Sequence, residues 1–173
     1  MSLKTWIAGL FGEKPPAYRK VGVVKRRFLM TSTCLDAVTA ALESSRERRH
    51  EGVAHLLGLT DGAVTLAACC LKSDAVTTAG SFRVEERAMA GVVRRAADLG
   101  LQVVGQVHTH PGRAYHSEGD NAGARNRYAG FCSLVIPDYG SRLPSLDGSA
   151  PYFFVPESGF QEVEVEVVSE DAG

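Results

Sequence analysis

The sequence predicts a single mixed α/β (α+β) domain, and three observations indicate this fold class. The chain has 173 residues, a length that suits one domain and lets about two-thirds of the unfolded surface become buried. Charged residues make up 23% and hydrophobic residues 45% of it, which is close to the averages for globular proteins and excludes disordered, collagen-like and membrane classes. Strand-like and helical patterns are mixed along the chain without an internal repeat. We therefore expect six or seven strands and about three helices.

Residues 21–49 predict a strand followed by a helix. Apolar residues at 21–24 and 28–30 indicate the strand. Ser32 and Thr33 then offer an N-cap, and apolar residues recur at helical spacing to about residue 49.

A hairpin is predicted next. Residues 52–59 and 63–71 are strand-like, and the Asp61-Gly62 pair between them is a strong signal for a hairpin turn. Only a short connection, residues 72–81, is expected before the second helix.

The second helix should run from Phe82 or Arg83 to Leu99, with Gly100 at the position of a C-terminal glycine stop. The remaining predicted elements are a strand at 101–108, a third helix from about 117 to 129, a surface loop at 138–151, and strands at 131–136, 151–155 and 160–168.

The last of these strands has an alternating pattern. Val163, Val165 and Val167 are separated by glutamates, so we expect the valines to be buried and the glutamates to face water.

Residues 1–20 are expected to be an N-terminal extension and residues 21–173 the domain. The extension is a poor signal peptide, because the apolar stretch between Trp6 and Phe11 is interrupted and no small-residue cleavage pattern follows. Its apolar residues favour a short helix that docks on the domain or on a partner. No apolar run approaches the roughly 20 residues needed to span a bilayer, so no membrane association is expected.

The charge pattern and the cysteine content indicate which partners to exclude and in which redox state the cysteines are. The 19 basic and 20 acidic residues are spread along the chain in short runs, so no nucleic-acid partner is expected. The four cysteines include no C-x-x-C pair, and we interpret them as reduced, buried residues of a cytoplasmic protein.

Two histidines at the end of a predicted strand form a candidate metal site. His108 and His110 are two residues apart, so both imidazoles project from the same face of the strand and can bind one ion. Asp120, after a Pro-Gly turn and near the start of a helix, is a plausible third ligand. Two imidazoles and one carboxylate suit Zn²⁺ and leave a fourth position open for water, which is the arrangement of a catalytic site.

Each half of this pattern also has a structural explanation. A His-x-His pair occurs by chance, and Ser117 followed by Asp120 is a spacing that helix capping alone explains. The combination is more specific than either half.

The combined pattern resembles the signature of the JAMM or MPN+ zinc metalloproteases, also called the Mov34/PAD-1 or JAB family. Residues 108–111 (HTHP) and 117–120 (SEGD) match its H-[S/T]-H-P and S-x-x-D motifs. Residues 51–58 (EGVAHLLG) match the upstream glutamate and its glycine-containing strand. The resemblance covers roughly residues 50–140 and implies a central curved mixed sheet flanked by about three helices, similar to the cytidine deaminase fold.

The resemblance also implies a role for each residue. Zn²⁺ would be bound by His108, His110 and Asp120 and would make hydroxide available near neutral pH. Glu51 would be the general base, and Ser117 would donate a hydrogen bond to the oxyanion of the tetrahedral intermediate.

Three assignments stay open. The loop between His110 and Ser117 has six residues where seven are common in the family, which leaves His116 as a candidate substitute ligand. Glu43 and Glu47 are rival candidates for the base, and Glu51 itself could be a helix-end charge. His50 and His55 have no assigned role.

The implied substrate is a peptide or isopeptide bond at the C-terminus of a ubiquitin-like protein, with E1-like and E2-like conjugation proteins as associated partners. The chain resembles compact bacterial members of the family. Two alternatives are a catalytically silent MPN-type binding scaffold and a processing peptidase for a sulfur-carrier protein.

Overall fold

Ten strands and two α-helices make up the regular structure of the described residues, 26–117 and 128–169, in a computed structural model. The strands are β1 (Arg27–Thr31), β2 (Val53–Thr60), β3 (Val64–Lys72), β4 (Ala75–Thr78), β5 (Ser81–Val84), β6 (Gln102–Thr109), β7 (Cys132–Ile136), β8 (Ala150–Val155), β9 (Gly159–Glu162) and β10 (Val165–Val168). The helices are α1 (Ser32–Arg48) and α2 (Glu86–Asp98). The mixed α/β class is confirmed.

Eight strands form one mixed sheet in the order β10-β1-β3-β2-β6-β7-β8-β9. Strand β1 is parallel to both of its neighbours, and β6 is parallel to β7, whereas the other pairs are antiparallel. The outermost strands β9 and β10 are joined by residues 163–164 alone. Because the three Cα–Cα steps from residue 162 to residue 165 span at most about 11 Å, the sheet must curl until its two edges approach each other.

The two helices cover opposite faces of this sheet. Leu56 belongs to the core cluster that contains the buried side chains of α1, and Leu57 belongs to the cluster that contains those of α2. Because neighbouring residues of a strand point to opposite faces, the two clusters lie on the two sides of β2. Within the described ranges, no helix is long and apolar enough to cross a membrane.

Helix α1 begins one residue earlier than its predicted cap. Thr31 is the N-cap, and its hydroxyl accepts a hydrogen bond from the backbone N–H of Cys34 at 3.1 Å. Ser32 and Thr33 therefore lie inside the first turn. At the other end Arg49 adopts the left-handed conformation, with φ 53°, which stops the helix two residues before Glu51.

The prediction for residues 72–85 is wrong. Strands β4 and β5 form a two-stranded hairpin here, and α2 begins at Glu86 rather than at Phe82 or Arg83. Phe82 pairs with Thr77 across the hairpin and packs its ring against His108. This tertiary contact outweighs the local helical spacing of the sequence.

The predicted strand 160–168 is divided between both edges of the sheet. Residues 159–162 pair with β8, whereas β10 pairs with β1. Val163 and Val165 are half-buried, but Val167 is exposed, so the expected burial of all three valines is wrong. The extra hairpin and this division also raise the number of strands above the predicted six or seven.

Two predicted segments lie outside the described residues. The N-terminal extension 1–20 is one of them. The third helix falls mostly on residues 118–127, which also include the candidate ligand Asp120.

Candidate metal and catalytic site

The pairing of β2 with β6 brings the upstream glutamate beside the two histidines. Val53 is paired with His108, and the backbone N–H of Thr109 donates to the carbonyl of Gly52 at 3.0 Å. The same antiparallel register places Glu51 opposite His110. Since residues directly opposite each other share a face, Glu51, His108 and His110 lie on the same side of the sheet.

All three side chains are withdrawn from solvent. His108 is 0%, His110 6% and Glu51 8% exposed. Burying three ionisable side chains costs free energy unless they are hydrogen-bonded or bind an ion. Buried ionisable groups are therefore typical of functional sites.

The two imidazoles have a separation that suits a shared metal ion. Their ring centroids are 5.1 Å apart and their planes are inclined by 50°. Two imidazoles that bind one tetrahedral Zn²⁺ have ring centres about 5 Å apart, because each metal–nitrogen bond is about 2.0 to 2.1 Å long. The spacing of the two rings is therefore the one that a shared metal ion requires.

The third predicted ligand, Asp120, is not among the described residues. Within 26–117 and 128–169, no three His, Cys, Asp or Glu side chains come together as a metal-binding group. The structure thus places His108, His110 and the candidate base Glu51 on one side of the sheet, while the assignment of Asp120 rests on the sequence motif.

The β4–β5 hairpin covers the site on the α2 side. The backbone N–H of Glu51 donates to the carbonyl of Thr78 at 2.7 Å. The ring of Phe82 lies 5.2 Å from that of His108, centroid to centroid. Sequence reasoning missed Phe82, because an alternation of only four residues does not distinguish a strand from the start of a helix.

The rival carboxylates lie elsewhere. Glu43 and Glu47 are exposed on α1, and Glu43 forms an ion pair with Arg46 at 3.5 Å. Glu51, past the end of that helix, is the buried carboxylate on the same side of the sheet as the histidines.

The loop after His110 is held at its base by residues predicted to be a surface loop. The carbonyl of His110 accepts from the backbone N–H of Tyr139 at 2.8 Å, and that of Gly112 accepts from Asp138 at 3.0 Å. Asp138 and Tyr139 both have positive φ angles, 51° and 55°, within the short 3₁₀ helix Asp138–Gly140. Residues 138–140 therefore hold the start of the loop that follows His110.

Tyr115 and His116 point in different directions. The Tyr115 ring meets His110 edge-on at 5.0 Å and is 58% exposed. The His116 ring packs against Phe160 at 4.3 Å and Tyr152 at 5.1 Å, on strands β9 and β8. Among the described residues, the His116 ring contacts the β8–β9 hairpin, whereas the His110 ring contacts His108 and Tyr115. Ser117 follows directly and is half-buried.

The two histidines without an assigned role have local hydrogen-bond partners. His50 Nδ1 lies 3.3 Å from Thr77 Oγ1, and His55 Nε2 lies 3.1 Å from Ser73 Oγ. Burial lowers the pKa of His55 to about 4, so this imidazole is neutral at pH 7.

A steric constraint explains the glycine at the end of the upstream motif. A Cβ on Gly58 would lie 1.8 Å from the carbonyl oxygen of Leu66, beside a register shift between β2 and β3. Only glycine allows β3 to approach this closely.

With this fold and site, the chain belongs to the family of prokaryotic homologues of the JAB domain, whose family model matches residues 36–142. The resemblance to the JAMM/MPN family is thereby confirmed.

One curated relative and two solved structures are also similar to this chain. The "Probable metalloprotease y4jG" of Sinorhizobium fredii is 29% identical over 146 residues, which are 80% of this chain and 88% of that protein. The solution structure of protein DSY2949 from Desulfitobacterium hafniense superposes with a TM-score of 0.65 at 18% identity, over 83% of this chain and 94% of that one. A solution structure from Salinibacter ruber gives a TM-score of 0.57 at 20% identity, over 84% and 95% of the two chains.

Proposed function

We propose that this protein is a zinc-dependent peptidase that hydrolyses a peptide or isopeptide bond at the C-terminus of a ubiquitin-like protein. The observation that carries the proposal is that the buried residues Glu51, His108 and His110 lie on one side of the sheet where β2 and β6 pair. Membership of the JAB family and the similarity to a probable metalloprotease support it.

The ion would be held by His108 and His110 together with Asp120. When bound, Zn²⁺ acts as a Lewis acid and makes hydroxide available as a nucleophile near neutral pH. The imidazoles are already placed next to each other by the β6 backbone, so binding requires little reorganisation of these two ligands.

Glu51 and Ser117 would carry the proton transfer and the charge stabilisation. The Glu51 carboxylate accepts a proton from the attacking water and passes it to the departing amine. Its backbone is fixed by the Thr78 carbonyl, so the carboxylate starts from a defined position. Ser117 donates a hydrogen bond to the substrate carbonyl oxygen as negative charge develops there.

The β4–β5 hairpin beside the site has a strand edge on which an extended substrate would bind. Strand β5 pairs only with β4 among the described residues, so its other edge is available to a peptide strand. Backbone hydrogen bonds along that edge would bind an extended C-terminal tail next to Phe82 and His108. Small residues at the end of the tail, such as Gly-Gly, would pass this covered face with the least steric hindrance.

The test uses a fluorogenic aminocoumarin amide placed after Gly-Gly, on a short peptide and on the C-terminus of a ubiquitin-fold protein. We expect cleavage of the protein-linked amide by the zinc-loaded enzyme. Glu51→Gln should retain zinc and lose at least about 100-fold in kcat, because it removes the general base.

Glu47→Gln is the matched control, since the same change is made on the exposed face of α1. It should cleave at the wild-type rate. Full activity of Glu51→Gln would remove Glu51 from the reaction, and absence of near-stoichiometric zinc from the purified protein would contradict the proposal as a whole.

A further inference from the structure

His116 joins the loop that precedes Ser117 to the β8–β9 hairpin. Its imidazole packs on Phe160 with an inclination of 33°, close to a stacked arrangement, and meets Tyr152 more nearly edge-on at 62°. Its backbone N–H also donates to the hydroxyl of Tyr152 at 3.2 Å. Side chain and main chain of one residue are therefore held by the same pair of strands.

The rest of the loop is held at its other end. The carbonyls of His110 and Gly112 accept hydrogen bonds from Tyr139 and Asp138. Only residues 113–115 lie between these contacts and those of His116, so the loop has few remaining degrees of freedom. Ser117 leaves this loop directly after its last attachment point.

Phe160, on which the His116 ring packs, has an aromatic contact of its own. Phe160 also contacts Phe154, with ring centroids 5.2 Å apart, across the β8–β9 pair. Aromatic contacts of this kind have preferred offset or edge-on geometries, so they orient a ring as well as bury it. The contact of the His116 ring with Phe160 therefore fixes where the ring lies, in addition to burying it.

We propose that His116 is a positioning residue, whose ring, packed against Tyr152 and Phe160, sets the placement of Ser117 relative to His108 and His110. The inference rests on the proposed function, since the oxyanion contact of Ser117 belongs to it. It gives the histidine in the six-residue loop a role other than metal binding.

The kinetic test compares His116→Ala with His116→Phe. The alanine variant should lower kcat by about tenfold, as expected for a misplaced oxyanion donor, with KM and zinc content close to wild type. The phenylalanine variant keeps an aromatic ring and should retain most of the activity. An equal loss of kcat in both variants would overturn a role for ring packing.

Val155→Ala is the matched control. It removes buried packing from the same hairpin on the face opposite Phe154 and Phe160. We expect a lower melting temperature with kcat within about twofold of wild type. A tenfold loss of kcat in this variant would show that general loosening of the hairpin explains the effect, and would contradict a specific role for His116.

A double-mutant cycle tests whether the effect passes through Ser117. In the Ser117→Ala background, His116→Ala should cause little further loss of kcat, because the positioned group is already absent. Additive losses would overturn the inference.

Hydrogen exchange of the loop supplies a readout that does not depend on catalysis. His116→Ala, and independently Tyr152→Phe, which removes the hydroxyl that accepts from His116, should speed amide exchange in residues 112–117. If exchange increases but wild-type protein cleaves neither probe, the loop attachment stands and the proposed function fails. Unchanged exchange in both variants overturns the attachment, whatever the activity.

Discussion

The threonine between the two histidines has a structural function of its own. The backbone N–H of Gly52 donates to Thr109 Oγ1 at 2.8 Å, and Thr109 is 1% exposed. This hydrogen bond continues the pairing of β2 with β6 beyond the pair Val53–His108. It fixes Gly52, the residue between Glu51 and Val53. The hydroxyl in the H-[S/T]-H-P motif thus fixes Gly52, between the proposed base Glu51 and strand β2.

We predict that Thr109→Val destabilises the protein by about 1 to 3 kcal/mol, because a buried N–H loses its acceptor while the shape of the side chain is kept. The change should also lower kcat, because Gly52, the residue after Glu51, loses one of its two hydrogen bonds to Thr109. Thr109→Ser restores the acceptor and should recover most of both losses. Urea denaturation and kinetics on the same preparations measure the two effects, and equal stability of the valine and serine variants would contradict this role.

His55 predicts a pH dependence of stability. Because burial lowers its pKa from 6.5 to about 4, the unfolded chain takes up a proton at this residue before the folded protein does. Stability is therefore retained above pH 6.5 and lost as the pH falls from 6.5 towards 4. The loss from this residue between pH 7 and pH 5 should be about 2 kcal/mol.

His55→Gln isolates this contribution from that of the other histidines. The variant removes the titrating group and should lose about 2 kcal/mol less than wild type between the two pH values in zinc-free buffer. Urea denaturation at pH 7 and pH 5 makes the measurement. A parallel decline in both proteins would show that His55 is not held neutral in the fold.

At the scale of elements, local signals determined what could be predicted. Helix α1 and the β2–β3 hairpin have caps, periodicity and an Asp-Gly turn within a short stretch of chain, and both formed close to the predicted bounds. The β4–β5 hairpin has strands of four residues, and its place depends on contacts of Phe82 and Thr78 with the site. Such contacts are non-local, so residue patterns alone do not contain them.

Two glycines give a prediction about these elements. Gly58→Ala places a methyl group against a backbone carbonyl at the β2–β3 register shift and should destabilise the protein by about 3 kcal/mol or more. Gly91→Ala, inside α2, meets nothing within 4 Å and should stabilise it by about 0.5 to 1 kcal/mol. Thermal melts of the two variants check the opposite signs. A mild effect at position 58 would mean that the bulge can shift to accommodate a side chain.

At the scale of the whole molecule, the site is assembled by long-range pairing. Gly52 and Thr109 are 57 positions apart, and their contact depends on β2 lying antiparallel to β6 in the middle of the sheet. The motif spacing identified the residues one by one, because each motif is local. The shared face of Glu51 and the two histidines follows from the pairing of β2 with β6, and the cover by the β4–β5 hairpin follows from the contacts of Thr78 and Phe82.

Zinc binding by this assembled site should stabilise the entire domain. An ion that binds the folded state alone adds about 2.7 kcal/mol at a concentration 100 times Kd, which for a domain of this size raises Tm by roughly 5 to 10 °C. We predict that chelation lowers the Tm of the zinc-loaded protein by this amount and that added Zn²⁺ restores it. His110→Ala should abolish the zinc-dependent shift, because it removes one of the two proposed histidine ligands.

His116→Ala separates the two roles considered for the loop histidine. If His116 positions the loop, the variant keeps the full zinc-dependent rise in Tm, although its baseline Tm is lower. If His116 were a ligand, the rise would be lost as in His110→Ala. Differential scanning fluorimetry with and without Zn²⁺ distinguishes the outcomes, and the packing of the His116 ring on β8 and β9 favours the first.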